Sequence, residues 1–146
     1  MRENNIQFFQ FHGIIVLIGT IHKIRRSNMT VQSIKELLNA RVLGGDDMLD
    51  REVFTACGSD MMSDVLAHVD DQAVLITGLC NPQVLRTAEM MDIVCVIMVR
   101  NKQPDDAMIQ MAAERNICLL ATSLPMFTTC GLLYDAGLRG GGQHGK

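Results

Sequence analysis

Gly140 to Lys146 read Gly-Gly-Gly-Gln-His-Gly-Lys. That is the G-x-x-x-x-G-K part of a phosphate-cradling loop, in which backbone N–H groups and a lysine hold the phosphates. Such a loop needs a buried strand before it and a helix N-terminus after it. Here a helical pattern comes before it, and no hydroxyl residue follows Lys146 to hold magnesium. Residues 139–146 are therefore expected to be a glycine-rich disordered tail.

Other residues with reactive chemistry are Asp60 and Asp64, one helical turn apart, and Cys57 and Cys80 near expected helix starts. Paired carboxylates can do acid–base work, and a helix start favours a thiolate. Neither set has a base or a histidine written beside it, so no catalytic residue is assigned. The five cysteines contain no C-x-x-C pair and the four histidines are scattered. No metal site, redox pair or cofactor is expected.

Ligand binding is the remaining chemistry. In open α/β sheets, ligands sit at the carboxyl ends of the strands. Those ends are expected at Thr77-Gly78, Arg100 to Lys102 and Thr122-Ser123, with Ser59-Asp60 nearby. Hydroxyls, backbone N–H groups and the two cations Arg100 and Lys102 suit a small anion or a nucleotide phosphate. The competing reading of Ser59, Asp60, Thr77, Gly78, Arg100, Lys102, Thr122 and Ser123 is that they are helix caps and solvated loop charges. Asp50-Arg51 reads as a surface ion pair or turn anchor, and His68 as a helix-surface residue.

The elements that place these residues follow from apolar periodicity. Val31 to Asn39 is expected to be a helix capped by Thr30. Arg41 to Leu43 is a short strand, Gly44 to Asp47 a turn, and Arg51 to Thr55 a second strand. Ser59 or Asp60 is placed to cap a helix through Val69. Three apolar runs, Ala73–Thr77, Ile93–Val99 and Ile117–Thr122, then alternate with helices opened at Asn81-Pro82, Pro104-Asp105 and Ser123 to Pro125. Asn116 and Gly137 stop the last two. Runs without polar alternation are buried on both faces, and their alternation with helices means βαβ units. The expected fold is a single α/β domain of three layers, α/β/α, around a mostly parallel sheet.

Composition narrows the class. The chain has 146 residues, a net charge of -3, 4% aromatic residues and no tryptophan. That is neither the basic footprint of a nucleic-acid binder nor the stacking surface of a single-strand binder. The eleven methionines suit core filling and contact surfaces, among them Met61, Met62, Met90 and Met91. The apolar run near the start, Ile14 to Ile18, is too short to span a bilayer. The basic cluster Lys23, Arg25 and Arg26 follows that run, the reverse of a secretory signal. Residues 1–28 read as a leader outside the fold, with an extra strand or helix at Ile14 to Ile18 as the alternative. The folded unit is expected over residues 29–138.

Leu49-Asp-Arg-Glu-Val53 followed by Gly58-Ser-Asp-Met-Met-Ser-Asp-Val-Leu66 carries a family resemblance. With TVQSIKELLNARVLGG before these blocks and ICLLATSLPMFTTCGLLYDAGL after them, the chain resembles stand-alone DRTGG-domain proteins. These are similar to the N-terminal domain of the bacterial HPr kinase/phosphorylase. The literal five-letter signature is absent. The resemblance implies a three-layer α/β/α module without catalysis, in a regulatory or assembly role beside kinase, phosphotransacetylase or CBS-containing pyrophosphatase domains. The expected function is a non-catalytic regulatory or protein-interaction domain. It is expected to be a homodimer in the cytoplasm, with a possible partner enzyme or kinase and no nucleic acid or membrane contact. The alternative is a sensor of a phosphate-bearing metabolite or nucleotide at the strand ends.

Overall fold

The computed structural model of the protein describes residues 29–70 and 72–141. The leader and most of the glycine-rich end lie outside them. The chain opens with β1 (Met29–Thr30), α1 (Val31–Leu37) and β2 (Arg41–Gly44), then a 3-10 turn over Asp46–Met48. β3 (Glu52–Val53), β4 (Thr55–Gly58) and α2 (Met62–His68) follow. The rest is β5 (Ala73–Thr77), α3 (Pro82–Met90), β6 (Cys95–Met98), α4 (Asp106–Glu114), β7 (Cys118–Ala121), α5 (Met126–Asp135) and β8 (Arg139–Gly140).

The main sheet runs β2-β7-β6-β5-β4-β8, parallel except for β2, which is antiparallel to β7. β1 and β3 form a separate antiparallel pair. The three apolar runs are the adjacent strands β5, β6 and β7, and every residue in them is buried. Right-handed crossovers explain the layers. From β4 to β7 the strands advance in one direction, so α2, α3 and α4 fall on one face. Their Met62, Val65, Val84, Leu85, Met108 and Ala112 share one apolar core. From β7 the chain returns across the sheet to β8, which puts α5 on the opposite face with α1. Val31, Ile34 and Leu133 share the second core there with Ile76, Ile97 and Leu120.

Local chemistry sets the helix ends. Thr30 and Ser33 form a reciprocal capping box, at 3.2 and 3.0 Å. Asn81 caps α3, with proline at its first turn, and Asp105 caps α4 through the Met108 N–H at 2.8 Å. Helices α1, α3, α4 and α5 are stopped by left-handed residues Asn39, Asp92, Asn116 and Gly137. These residue types tolerate positive φ better than most.

Four expectations are revised. The expected strand Arg51–Thr55 is two strands, because the chain bends at Phe54 from the β1 pair into the main sheet. The turn at Gly44 to Asp47 is shorter, since Gly44 belongs to β2 and Asp46 opens the 3-10 turn. Neither Ser59 nor Asp60 caps α2; Met61 holds that position with no side-chain cap bond. Arg139 and Gly140, expected in the tail, instead pair in parallel with Thr55 and Ala56 and extend the sheet by one strand. Arg139 also donates to the Tyr134 carbonyl at 2.6 Å and lies over its ring, 4.0 Å from the centroid. Gly142 to Lys146, the bulk of the phosphate-loop pattern, fall outside the described residues.

Among the described residues no helix is long and apolar enough to cross a membrane, and no three His, Cys, Asp or Glu side chains are grouped to hold a metal ion.

Candidate functional site at the strand ends

β6 leads to a helix on one face of the sheet and β7 to a helix on the other. In sheets of this kind the gap between two such strands is where ligands enter. Here that gap is closed by backbone bonds. The Arg100 N–H donates to the Leu124 carbonyl at 3.0 Å, and Asn101 N–H to the Thr122 carbonyl at 2.9 Å. Arg100 and Asn101 are both left-handed, with φ of 57° and 52°. Two consecutive non-glycine residues there are uncommon, and the paired loops hold them in place.

The turn aims Arg100 sideways, toward the end of β5. Its guanidinium lies against the bare α-carbon of Gly78, and a Cβ at Gly78 would overlap Arg100 Nη2. Beside it, Asp60 Oδ1 accepts from Thr77 Oγ1 at 2.9 Å and from the Gly78 N–H at 2.7 Å. Thr77 is fully buried, and its hydroxyl also accepts from the Leu79 N–H at 3.1 Å. Arg100 Nη2 stands 3.8 Å from Asp60 Oδ2, and each side chain is 52% exposed. Partial burial pushes the Asp60 carboxyl up. The Gly78 N–H, the Thr77 hydroxyl and the Arg100 charge outweigh it, so the group sits below its ordinary value.

The structure thus brings Asp60, Thr77, Gly78 and Arg100 together. Ser59 is adjacent but turned inward on its own link, its hydroxyl accepting from the Met61 N–H at 3.0 Å and its backbone N–H donating to the Ile76 carbonyl at 3.0 Å. Lys102 and Ser123 are exposed on the loops after β6 and β7. Thr122 is a structural residue. It is buried, its hydroxyl donates to the Leu38 carbonyl at 3.0 Å, and it accepts from Leu124 N–H at 3.3 Å. The reasoning from sequence missed Leu79 and the Leu124 carbonyl. Asn101 is a type that tolerates the left-handed region, but Arg100 is not, so the two adjacent left-handed residues could not be found from residue type.

The two cysteines near the cluster sit in surroundings that favour the thiol. Burial pushes the Cys57 thiol up, and the neighbouring Cys130 and Asp64 push the same way. Cys80 is also pushed up by burial, against the opposing pull of Lys102.

Two recesses lie away from this cluster. At the amino ends of the strands, a recess of about 340 Å³ is lined by Arg51, Gln72, Glu89, Asp92, Arg115 and Asn116. Two of its charges pair, Arg115 Nε with Glu89 at 2.7 Å, and Arg51 donates to the Asn116 carbonyl at 2.9 Å. A smaller apolar groove of about 120 Å³ runs between α5 and the β4–β8 edge.

No curated protein matches the sequence. Among solved structures, the fold is similar to the CBS and DRTGG domains of the regulatory region of Clostridium perfringens pyrophosphatase, complexed with the activator diadenosine tetraphosphate. The TM-score is 0.57 at 15% identity, over 72% of this chain and 46% of that one, so this chain spans less than half of that relative. At that identity the likeness is one of fold. The model of the DRTGG domain matches residues 33–136, more than half of the sequence, and the chain belongs to the DRTGG domain family.

Proposed function

We propose that this domain is a non-catalytic regulatory module that senses a phosphate-bearing metabolite or nucleotide at the carboxyl ends of β5 and β6. The observation that carries the reading is the Arg100 guanidinium. It is held against Gly78 beside buried Thr77, half-exposed, with one long contact to a carboxylate. A planar fork of donors fixed by its own backbone turn suits phosphate oxygens. Lys102, two residues on, adds a second mobile cation at the same edge. The related regulatory region that binds diadenosine tetraphosphate supports a ligand of this chemistry. In this reading the domain works in the cytoplasm and passes ligand occupancy to a partner enzyme.

Thermal-shift screening with ATP, acetyl phosphate and inorganic pyrophosphate tests it. At least one compound is expected to raise the melting point. Arg100→Ala with Lys102→Ala is expected to weaken that ligand by about tenfold or more, the loss of at least one charge-assisted hydrogen bond. No shift with any compound, or an unchanged affinity in the double variant, would end the reading.

A second reading, assembly as a homodimer, is favoured by the outer face of α5. Phe127 is 90% exposed and Tyr134 61%, and the space beside Gly131 between them is open. Exposed aromatic surface of this kind marks contact sites. Light scattering after size exclusion is expected to give a dimer that Phe127→Glu converts to a monomer. A wild-type monomer at micromolar concentration would exclude it.

A further inference from the structure

The donors that a phosphate group would use at the end of β5 are already filled by a carboxylate of the same chain. Asp60 takes the Thr77 hydroxyl, the Gly78 N–H and the near side of Arg100. Its side chain does not serve its own helix, since α2 has no side-chain cap bond. Instead it turns away from the helix it precedes and reaches across to residues 17 and 18 positions later in the chain. We infer that Asp60 is a tethered anion in the ligand's own position, and that a phosphate group binds by displacing it. The inference rests on the reading of this cluster as a phosphate site.

The link around Asp60 is built so that displacement has a direction. Ser59 N–H is bonded to the Ile76 carbonyl, at 3.0 Å, and so pins the chain just before Asp60. Just after it, Met61 is 59% exposed and is tied to the Ser59 hydroxyl and to the first turn of α2, so it moves with that helix rather than with the core. Release of the carboxylate therefore swings the link toward the start of α2, with Ser59 as the pivot. Helix α2 begins one residue beyond Met61 and packs on the same core as α3 through Met62 and Val65. Occupancy of the site is thereby coupled to the position of α2.

Charge works in the same direction. With Asp60 in place, Arg100 faces a carboxylate that repels an incoming phosphate. With Asp60 displaced or neutralised, Arg100 and Lys102 face the ligand unopposed.

The test uses the full chain and calorimetric titration with inorganic pyrophosphate and, separately, ATP. Asp60→Asn keeps the side-chain shape and removes the charge. It is expected to tighten binding about tenfold, near the value of one charge-assisted hydrogen bond. Adding Arg100→Ala to that variant is expected to abolish the gain. A gain with both probes assigns the shared phosphate group, with ATP alone a nucleotide, and with pyrophosphate alone the free anion. A second measurement does not depend on the variant folding. In wild-type protein, either probe is expected to move the amide resonances of Gly78 and Leu79 together with those of Met62, Ser63 and Asp64, along one saturation curve.

If wild-type binding depends on Arg100 but Asp60→Asn binds no tighter, and the α2 amides stay still, the phosphate site stands and Asp60 is only a brace. If neither protein binds either probe, this inference and the sensing function fall together.

Discussion

Ile97→Ala is expected to lower the stability of the domain by about 3–4 kcal/mol, in the range for truncating a fully buried isoleucine. Ile97 lies mid-strand in β6, with Ile76 and Leu120 as its register partners on the two flanking strands. It is 0% exposed and packs into the core beneath α1 and α5. Neighbours on both sides are strands fixed by backbone bonds, so they cannot close over the lost volume, and the cavity cost adds to the transfer cost. Half-buried Val42, on the antiparallel edge strand, gives the contrast; its truncation is expected to cost under about 1.5 kcal/mol. Urea unfolding followed by circular dichroism compares the two. Equal losses would contradict the placement of β6 at the centre.

Gly45→Ala is expected to cost about 2–4 kcal/mol, although alanine is the smallest side chain that could be added. Gly45 has φ of 86°, a region that costs an L-residue about 1 kcal/mol or more. Its Cβ would also stand 2.9 Å from the Cys118 α-carbon and 2.5 Å from the end of Met48. The methionine can swing aside, but the backbone of β7 cannot, and forced overpacking adds about 1–3 kcal/mol. Gly131→Ala on the open face of α5 is the control. Nothing meets its Cβ, so a gain in helix propensity of about 0.5–1 kcal/mol is expected there. Melting temperatures of the two variants should move in opposite directions.

The parts of this fold that were legible in the sequence are those set by local pattern. The runs around Leu75, Val96 and Leu119 are apolar on both sides because both sides of each strand are covered, and that leaves a mark no neighbour is needed to read. Helix ends were legible where the stop or cap lies within four residues, as at Thr30, Asn81, Asp105, Asn116 and Gly137. β4 was less clear, since Thr-Ala-Cys-Gly carries little apolar signal and owes its place to pairing with β5. β8 was illegible, because a strand of two residues in a glycine-rich stretch exists only through its partner.

The same division holds at the candidate site. Thr77, Gly78 and Arg100 were singled out by their position at strand ends, and Asp60 by its place at a helix start beside them. Their mutual contacts were not, because Asp60 before an apolar helical pattern looks like a cap. Its actual partners lie across the sheet edge. Thr122 shows the converse: a hydroxyl at a strand end can be claimed by a backbone carbonyl, here that of Leu38.

The antiparallel strand β2 has a consequence for how the chain acquires its shape. Arg41 pairs with Ala121, so the earliest strand of the main sheet docks only on β7, the last of the three buried runs to leave the ribosome. Until then β2 has no strand to pair with, and α1 has only the β5 and β6 part of its core to cover. Closing so large a loop late makes for slow maturation and high contact order. In a nascent chain stalled before β7, Arg41 to Gly44 would be the stretch left most open to proteolysis.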